Sequence, residues 1–146
     1  MIESIEIDGS VAAIIIRASF REPGIRFFTP ADYTQQLAYM NRPQGYEIAP
    51  HVHNPVRREV LFTNEVLFIK SGRVRVDFYT DGQEYRESRE LLVGDVILLA
   101  GGGHGFSMLE DSEMIEVKQG PHAGDADKTR FAQVDASRIR LVPSQA

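Results

Sequence analysis

Short apolar runs recur along the chain, and turn-forming pairs separate them at intervals of about ten residues. These pairs are Asp8-Gly9, Pro23-Gly24, Ser71-Gly72, Asp81-Gly82 and Gly94-Asp95. The runs between them are rich in Val, Ile, Leu, Phe and Tyr, which favour strands. This pattern predicts an all-β sandwich or barrel.

The individual runs differ in how they distribute their apolar residues. Residues 73–79 alternate, with Val74, Val76 and Phe78 on one face and charged residues on the other, which predicts a half-buried strand. Residues 96–99 are apolar on both faces and predict a fully buried strand.

Further strands are predicted on either side of these two. The Asp81-Gly82 pair indicates a hairpin into residues 84–90, and residues 65–70 and 113–119 also favour strands. Residues 31–41 fit a helix or a strand, and we favour the strand. We expect a short helical turn within residues 125–133 and either an edge strand or a loose end over residues 134–146.

Composition narrows the class of protein. A chain of 146 residues with 42% hydrophobic and 25% charged residues fits one globular domain. The net charge of −5 argues against electrostatic binding to nucleic acid or to an acidic membrane. The longest apolar run, residues 11–16, is too short to cross a bilayer, so we expect a cytoplasmic protein. The absence of cysteine excludes disulfides, thiolate metal sites and thiol nucleophiles.

Three of the four histidines lie in segments that predict shared chemistry. His51 and His53 are two residues apart, so on a strand both imidazoles would point to one face and reach one metal ion. Glu65 opens the next predicted strand, and His104 follows the buried strand 96–99. Glu59 is a rival carboxylate to Glu65. We expect His122, in a turn-like stretch, to be exposed and not to be a ligand.

The spacing of these residues resembles the two motifs of the cupin superfamily. Five residues lie between Gly45 and His51-Val52-His53, and six lie between Glu65 and Gly72, as in the first motif. Eleven residues separate His53 from Glu65, where the family has three or four. Residues 94–104 are similar to the second motif, with Ala100 in place of its proline and His104 one residue early.

The resemblance to small single-domain bacterial cupins implies a double-stranded β-helix, also called a jelly-roll barrel. Its core would span about residues 35–119, with N-terminal strands over residues 1–30 and a C-terminal extension over 120–146. It further implies one divalent transition metal, namely Fe, Mn, Ni, Co or Zn, bound by His51, His53, Glu65 and His104.

Other side chains are candidates for binding or chemistry. Arg57 and Arg58 suit a ligand carboxylate or phosphate, although an exposed pair on a loop is the ordinary alternative. Glu116 or Lys118 would move a proton if it faced the barrel interior, whereas a solvated charge pair is the ordinary alternative. Two further candidates, as core or pocket-wall residues that contact substrate, are Tyr46 and Phe106.

Three functions remain open at this stage. The first is a metalloenzyme, an oxygenase or isomerase, that acts on a small sugar or carboxylic acid with the metal as Lewis acid or dioxygen-activating centre. The second is a non-catalytic cupin that binds a small molecule, and the third is a metal-free cupin similar to sugar-nucleotide epimerases. We also expect a homodimer, with the apolar residues Ile5, Ile7 and 11–16 as its surface.

Overall fold

The computed structural model describes residues 1–144 and is built from antiparallel β-sheets. The strands are β1 Ile2–Ile7, β2 Ser10–Ile16, β3 Gly24–Phe27, β4 Ala38–Asn41, β5 Glu65–Ser71, β6 Val74–Tyr79, β7 Tyr85–Leu91, β8 Val96–Leu99, β9 Gly103–Met108 and β10 Glu113–Lys118. A short 3₁₀ helix, Ala136–Arg138, follows them. The all-β prediction is therefore confirmed.

The chain divides into two compact units. The first unit contains residues 1–20 and 63–146, and the second contains residues 21–62. The prediction of a single domain over residues 1–146 stays a prediction.

Two sheets form the first unit. The larger has five strands in the order β1-β2-β8-β5-β10, and the smaller has three in the order β7-β6-β9. From β5 onwards the chain crosses repeatedly between the sheets, and β6 and β7 are the one consecutive pair that lie side by side in one sheet. These sheets do not close into one continuous barrel.

The core of the first unit lies between its two sheets. Leu67, Ile69 and Ile97 contribute from the larger sheet, and Val76 and Phe78 contribute from the smaller one. All five are at most 5% exposed. The predicted strands over residues 73–79 and 96–99 are confirmed as β6 and β8, with the expected inward faces. The ambiguous segment 31–41 has a strand only at its end, β4.

The N-terminal strands are part of this core rather than a partner surface. Ile5 and Ile15 are 2% and 0% exposed, and β1 and β2 pair with each other in the five-stranded sheet. The expectation that Ile5, Ile7 and residues 11–16 form a dimer surface is therefore wrong, because Ile5, Ile7 and residues 12–16 are at most 9% exposed within the chain itself.

The C-terminal segment covers the outer face of the three-stranded sheet. Phe131 packs edge-on against Tyr79 with ring centroids 5.0 Å apart. Further along, Ser88 and Leu141 form a parallel bridge beside β7. Asp77, which the alternation placed on a polar face, is consequently fully buried and accepts a hydrogen bond from Ser88. The helical turn expected within residues 125–133 is present only as a single hydrogen-bonded turn, in which the Lys128 N–H donates to the Asp125 carbonyl at 3.2 Å, and the short 3₁₀ helix lies further on.

A buried ion-pair cluster stabilises the end of the larger sheet at which β2 ends and β8 begins. The Arg17 guanidinium donates to Glu3 at 2.6 Å and to Asp95 at 2.7 Å. Asp95 also accepts the backbone N–H groups of Ala18 and Leu92. Burial acts to lower the pKa of Arg17, but the hydrogen bonds to both carboxylates outweigh it and raise that pKa above its usual value.

The second unit contains one hairpin and a long segment without regular structure. Strands β3 and β4 pair antiparallel, with Ile25 opposite Met40. Residues 47–60 have neither strand nor helix, and they expose several apolar side chains, including Val52 and Val56. In the part of the chain that is described, no helix has the length and apolarity needed to span a membrane.

Candidate functional site

Glu65 and His104 meet at one end of the first unit, one from each sheet. Glu65 opens β5, and His104 is the second residue of β9. His104 lies opposite Phe78 in the β6–β9 register, and residues opposite each other share a face, so the imidazole is on the core side. Its Nε2 atom lies 3.3 Å from Oε2 of Glu65. Two residues predicted as ligands, 39 positions apart, are thus adjacent.

Lys118 completes this cluster from the edge strand β10. The β5–β10 register places Lys118 opposite Glu65, and its Nζ atom lies 3.4 Å from Oε1 of Glu65. Lys118 thus contacts a residue of the predicted ligand set, and its role in moving a proton stays a prediction. The hydrogen bond with His104 lowers the pKa of Glu65 below its usual value, and Lys118 adds to this effect although burial opposes it. Glu65 therefore favours its charged form.

The loop after β10 brings two more charged side chains to the cluster. The Thr63 hydroxyl donates to a carboxylate oxygen of Asp127 at 2.8 Å. Asp127 interacts electrostatically with Lys118 and Lys128. The hydroxyl of Thr63 is the first cause of a lowered pKa at Asp127. Sequence reasoning missed Thr63, Asp127 and Lys128, because no spacing rule connects this loop to β5.

His51 and His53 lie side by side in the second unit. Their ring centroids are 5.1 Å apart in an edge-to-face arrangement, and both side chains are exposed. The Nδ1 atom of His51 lies 3.0 Å from the carbonyl oxygen of Ala49. The strand assumed for this pair is not present, since residues 47–60 have no regular structure, but the imidazoles are adjacent all the same.

Other candidates of the second unit lie on its surface. Arg57 and Arg58 are exposed, as their ordinary interpretation predicts. Arg58 and Glu59 line an open cleft of about 600 Å³ together with residues 31–34 and Gln36. Tyr46 is half exposed, and the guanidinium of Arg42 stacks 4.5 Å above its ring.

The remaining candidates lie in the first unit. Phe106 packs against the core and lies 5.7 Å from the His104 ring, so it forms a wall beside the cluster. Glu116 and His122 are both exposed, and for His122 this matches the prediction.

Within residues 1–144, no group of three or more His, Asp or Glu side chains is arranged to hold a metal ion. The structure shows instead two pairs from the predicted ligand set, one pair in each unit. The four-residue metal site remains a prediction.

Comparison with protein families, with curated proteins and with solved structures finds no match to this chain.

Proposed function

We propose that this chain is a cupin-like protein that binds one divalent transition metal through His51, His53, Glu65 and His104 and uses this site on a small polar molecule. The contact between Glu65 and His104 carries the proposal. Metal–ligand bonds of about 2.1 Å place two neighbouring ligand atoms about 3.0–3.4 Å apart. The observed separation of 3.3 Å between Nε2 and Oε2 fits that range without rearrangement.

Strand order supports the jelly-roll part of the proposal. The orders β8-β5-β10 and β7-β6-β9, with the chain crossing between the sheets, are compatible with the two-sheet arrangement of such a fold. Burial favours Glu65 over Glu59 as the carboxylate, because Glu65 is 8% exposed and adjacent to His104.

The residues of the site would act in distinct ways on a bound molecule. A metal ion here would supply Lewis acidity or a binding position for dioxygen. Phe106 would exclude water from one side of the His104 ring. Lys118 would donate to an oxygen atom of the molecule once Glu65 is engaged elsewhere.

Measurement of the metal bound per chain tests the proposal. Protein purified without an affinity tag and loaded with Fe, Mn, Ni, Co or Zn in turn is expected to retain close to one ion per chain. The His51→Ala/His53→Ala double variant is expected to retain much less. Equal, near-zero metal in both proteins would refute the site. Oxygen consumption by the iron-loaded protein, measured with small carboxylates, phenols and sugars, then separates an enzyme from a protein that only binds its ligand.

A metal-free proton-transfer site is the second candidate, and the Lys118–Glu65 contact favours it. Both oxygens of Glu65 already have partners, so the carboxylate can hold the His104 ring in place for acid–base chemistry without a metal. Turnover of a sugar nucleotide that survives chelation would support this candidate, and turnover abolished by chelation would exclude it.

A homodimer in the cytoplasm remains part of the proposal. Sedimentation at micromolar concentration measures the assembly state, and a monomer would contradict the dimer.

A further inference from the structure

One ammonium group lies beside the Glu65–His104 pair, and a second lies on the loop that follows. Lys118 contacts Glu65 at 3.4 Å, and Lys128 on the following loop interacts electrostatically with Asp127 and with Lys118. The repulsion between two neighbouring cations is offset when an anion lies between or beside them. Glu65 and Asp127 supply that negative charge in the protein as it stands.

Two hydrogen bonds and one aromatic contact hold the loop that carries Lys128. At its start, the backbone N–H of Gln119 donates to the Asn64 carbonyl at 2.9 Å. In its middle, Asp127 accepts the Thr63 hydroxyl. At its end, Phe131 packs against Tyr79, next to the start of β9. Residues 119–130 thus leave β10 beside Glu65 and reach the outer face of the three-stranded sheet at Phe131.

The charge balance of the side chains around Glu65 would change if Glu65 bound a metal ion. Lys118 and Lys128 offset Glu65 and Asp127, so the four side chains are close to neutral together. A divalent cation held by Glu65 and His104 would add two positive charges and would compete with Lys118 for the same carboxylate. The Lys118 charge would then be available to an anionic group of a ligand.

We propose that Lys118, supported by Lys128, binds a carboxylate or phosphate group of the small molecule that this site takes. Lys118 is thereby a residue that selects anionic molecules, and the loop 119–130 is the element that sets this selectivity. This inference rests on the proposed function for the release of Lys118 from Glu65, and the assay separates the two.

The test uses isothermal titration calorimetry on the whole protein, with and without bound metal, at one fixed ionic strength. Succinate and inorganic phosphate are the anionic probes, and succinamide is the neutral analogue of succinate. The variants are Lys118→Met, Lys118→Arg and Lys128→Met. Lys70→Met is the matched control, because Lys70 lies on β5, is exposed and contacts only Glu113 at a distance of 3.7 Å among the described ion pairs. Each variant is checked for a native circular dichroism spectrum.

We expect Lys118→Met to weaken binding of the anionic probe about tenfold, since it removes one charge-assisted contact. Lys118→Arg is expected to keep most of the affinity, Lys128→Met to lose less than Lys118→Met, and Lys70→Met to match the unaltered protein. Tighter binding of succinate than of phosphate would identify the class as carboxylates, and the reverse order would identify phosphates.

Three results would overturn the inference. They are equal affinity in Lys118→Met and Lys70→Met, succinamide binding as tightly as succinate, and no binding of either anion. Failure of the proposed function has a different signature, namely the absence of metal retention. If Lys118-dependent binding of succinate or phosphate persists in protein that retains no metal, the anion site stands while the metal site fails.

Discussion

The first unit contains two charged clusters at opposite ends of the same five-stranded sheet, and they differ in the length of their contacts and in their exposure to solvent. In the Arg17 cluster the ion pairs to Glu3 and Asp95 are 2.6 and 2.7 Å long. In the Glu65 cluster the contacts to His104 and Lys118 are 3.3 and 3.4 Å long. Arg17 is 9% exposed at its side chain, whereas His104 and Lys118 are 30% and 26% exposed.

This difference separates a structural role from a binding role. Asp95 combines its ion pair with two backbone N–H donors, so its bonding capacity is used within the protein. The Glu65 cluster has longer contacts and greater access to solvent. It also contains an imidazole, the side chain that most commonly binds metal ions in proteins. A buried cluster with short contacts fixes the fold, and a looser, more exposed cluster can exchange its contacts for a ligand.

The largest effect is expected at Arg17. Arg17→Met leaves Asp95 buried without its cation and Glu3 with only the longer contact of 3.8 Å to Arg89, and we expect a loss of about 3–5 kcal/mol in the free energy of unfolding. Urea denaturation at pH 7 measures it. Arg86→Met is the control, because its partners Asp8 and Glu84 are exposed and such pairs contribute about 0–1 kcal/mol. Equal losses in the two variants would remove the distinction between the clusters.

The next effect concerns metal affinity. We expect His104→Ala to weaken metal binding by more than about 100-fold, because removal of a ligand exceeds the cost of removing an outer-shell contact. His122→Ala, at an exposed histidine of the same unit, should leave the affinity unchanged. Competition with a coloured chelator measures both constants. The reverse order of the two variants would show that His104 is not the third imidazole.

The smallest effect is expected for Glu65→Gln on stability, and it depends on pH. The folded protein lowers the pKa of Glu65, so its charge contributes stability above the unfolded value of about 4.5, and this contribution is lost as the pH falls through the folded pKa. We expect a loss of about 0.5–1 kcal/mol at pH 7 after allowance for partial solvent screening.

Unfolding of metal-free protein in urea at pH 7 and at pH 3 tests that dependence, and the gap between the two proteins should narrow at pH 3. Glu116→Gln serves as the control, since Glu116 is exposed on the neighbouring strand. A gap that is the same at both pH values would mean that the charge of Glu65 does not stabilise the fold.

Local pattern was sufficient to predict several strands. Alternation at Val74, Val76 and Phe78 gave the inward face of β6, because the side-chain period of a strand is set by its backbone. The uninterrupted apolar run 96–99 predicted β8 for a different reason, namely that a strand buried on both faces has no polar face. The motif spacing also brought out Glu65 and His104, which the structure places in contact.

Contacts that depend on distant segments could not be predicted. Asp77 alternates with apolar residues and looks solvated, but the C-terminal segment buries it. Lys118 meets Glu65 only because β10 pairs with β5 in one particular register. The Arg17 cluster joins residues 14 and 78 positions apart, and neither separation corresponds to a local motif. In each case the information lies in strand pairing rather than in periodicity.

The central pairing of the larger sheet has a consequence for the rate of folding. β8 lies between β2 and β5, and its Val96 pairs with Ile16. Two segments that are 80 residues apart along the sequence must therefore meet before the sheet is continuous. Closing so long a loop costs entropy before any contact repays it, and proteins dominated by such pairings fold in roughly milliseconds to seconds. Until β8 docks, β2 and β5 each lack a neighbour in the sheet, and a partly folded chain is exposed to self-association for that interval.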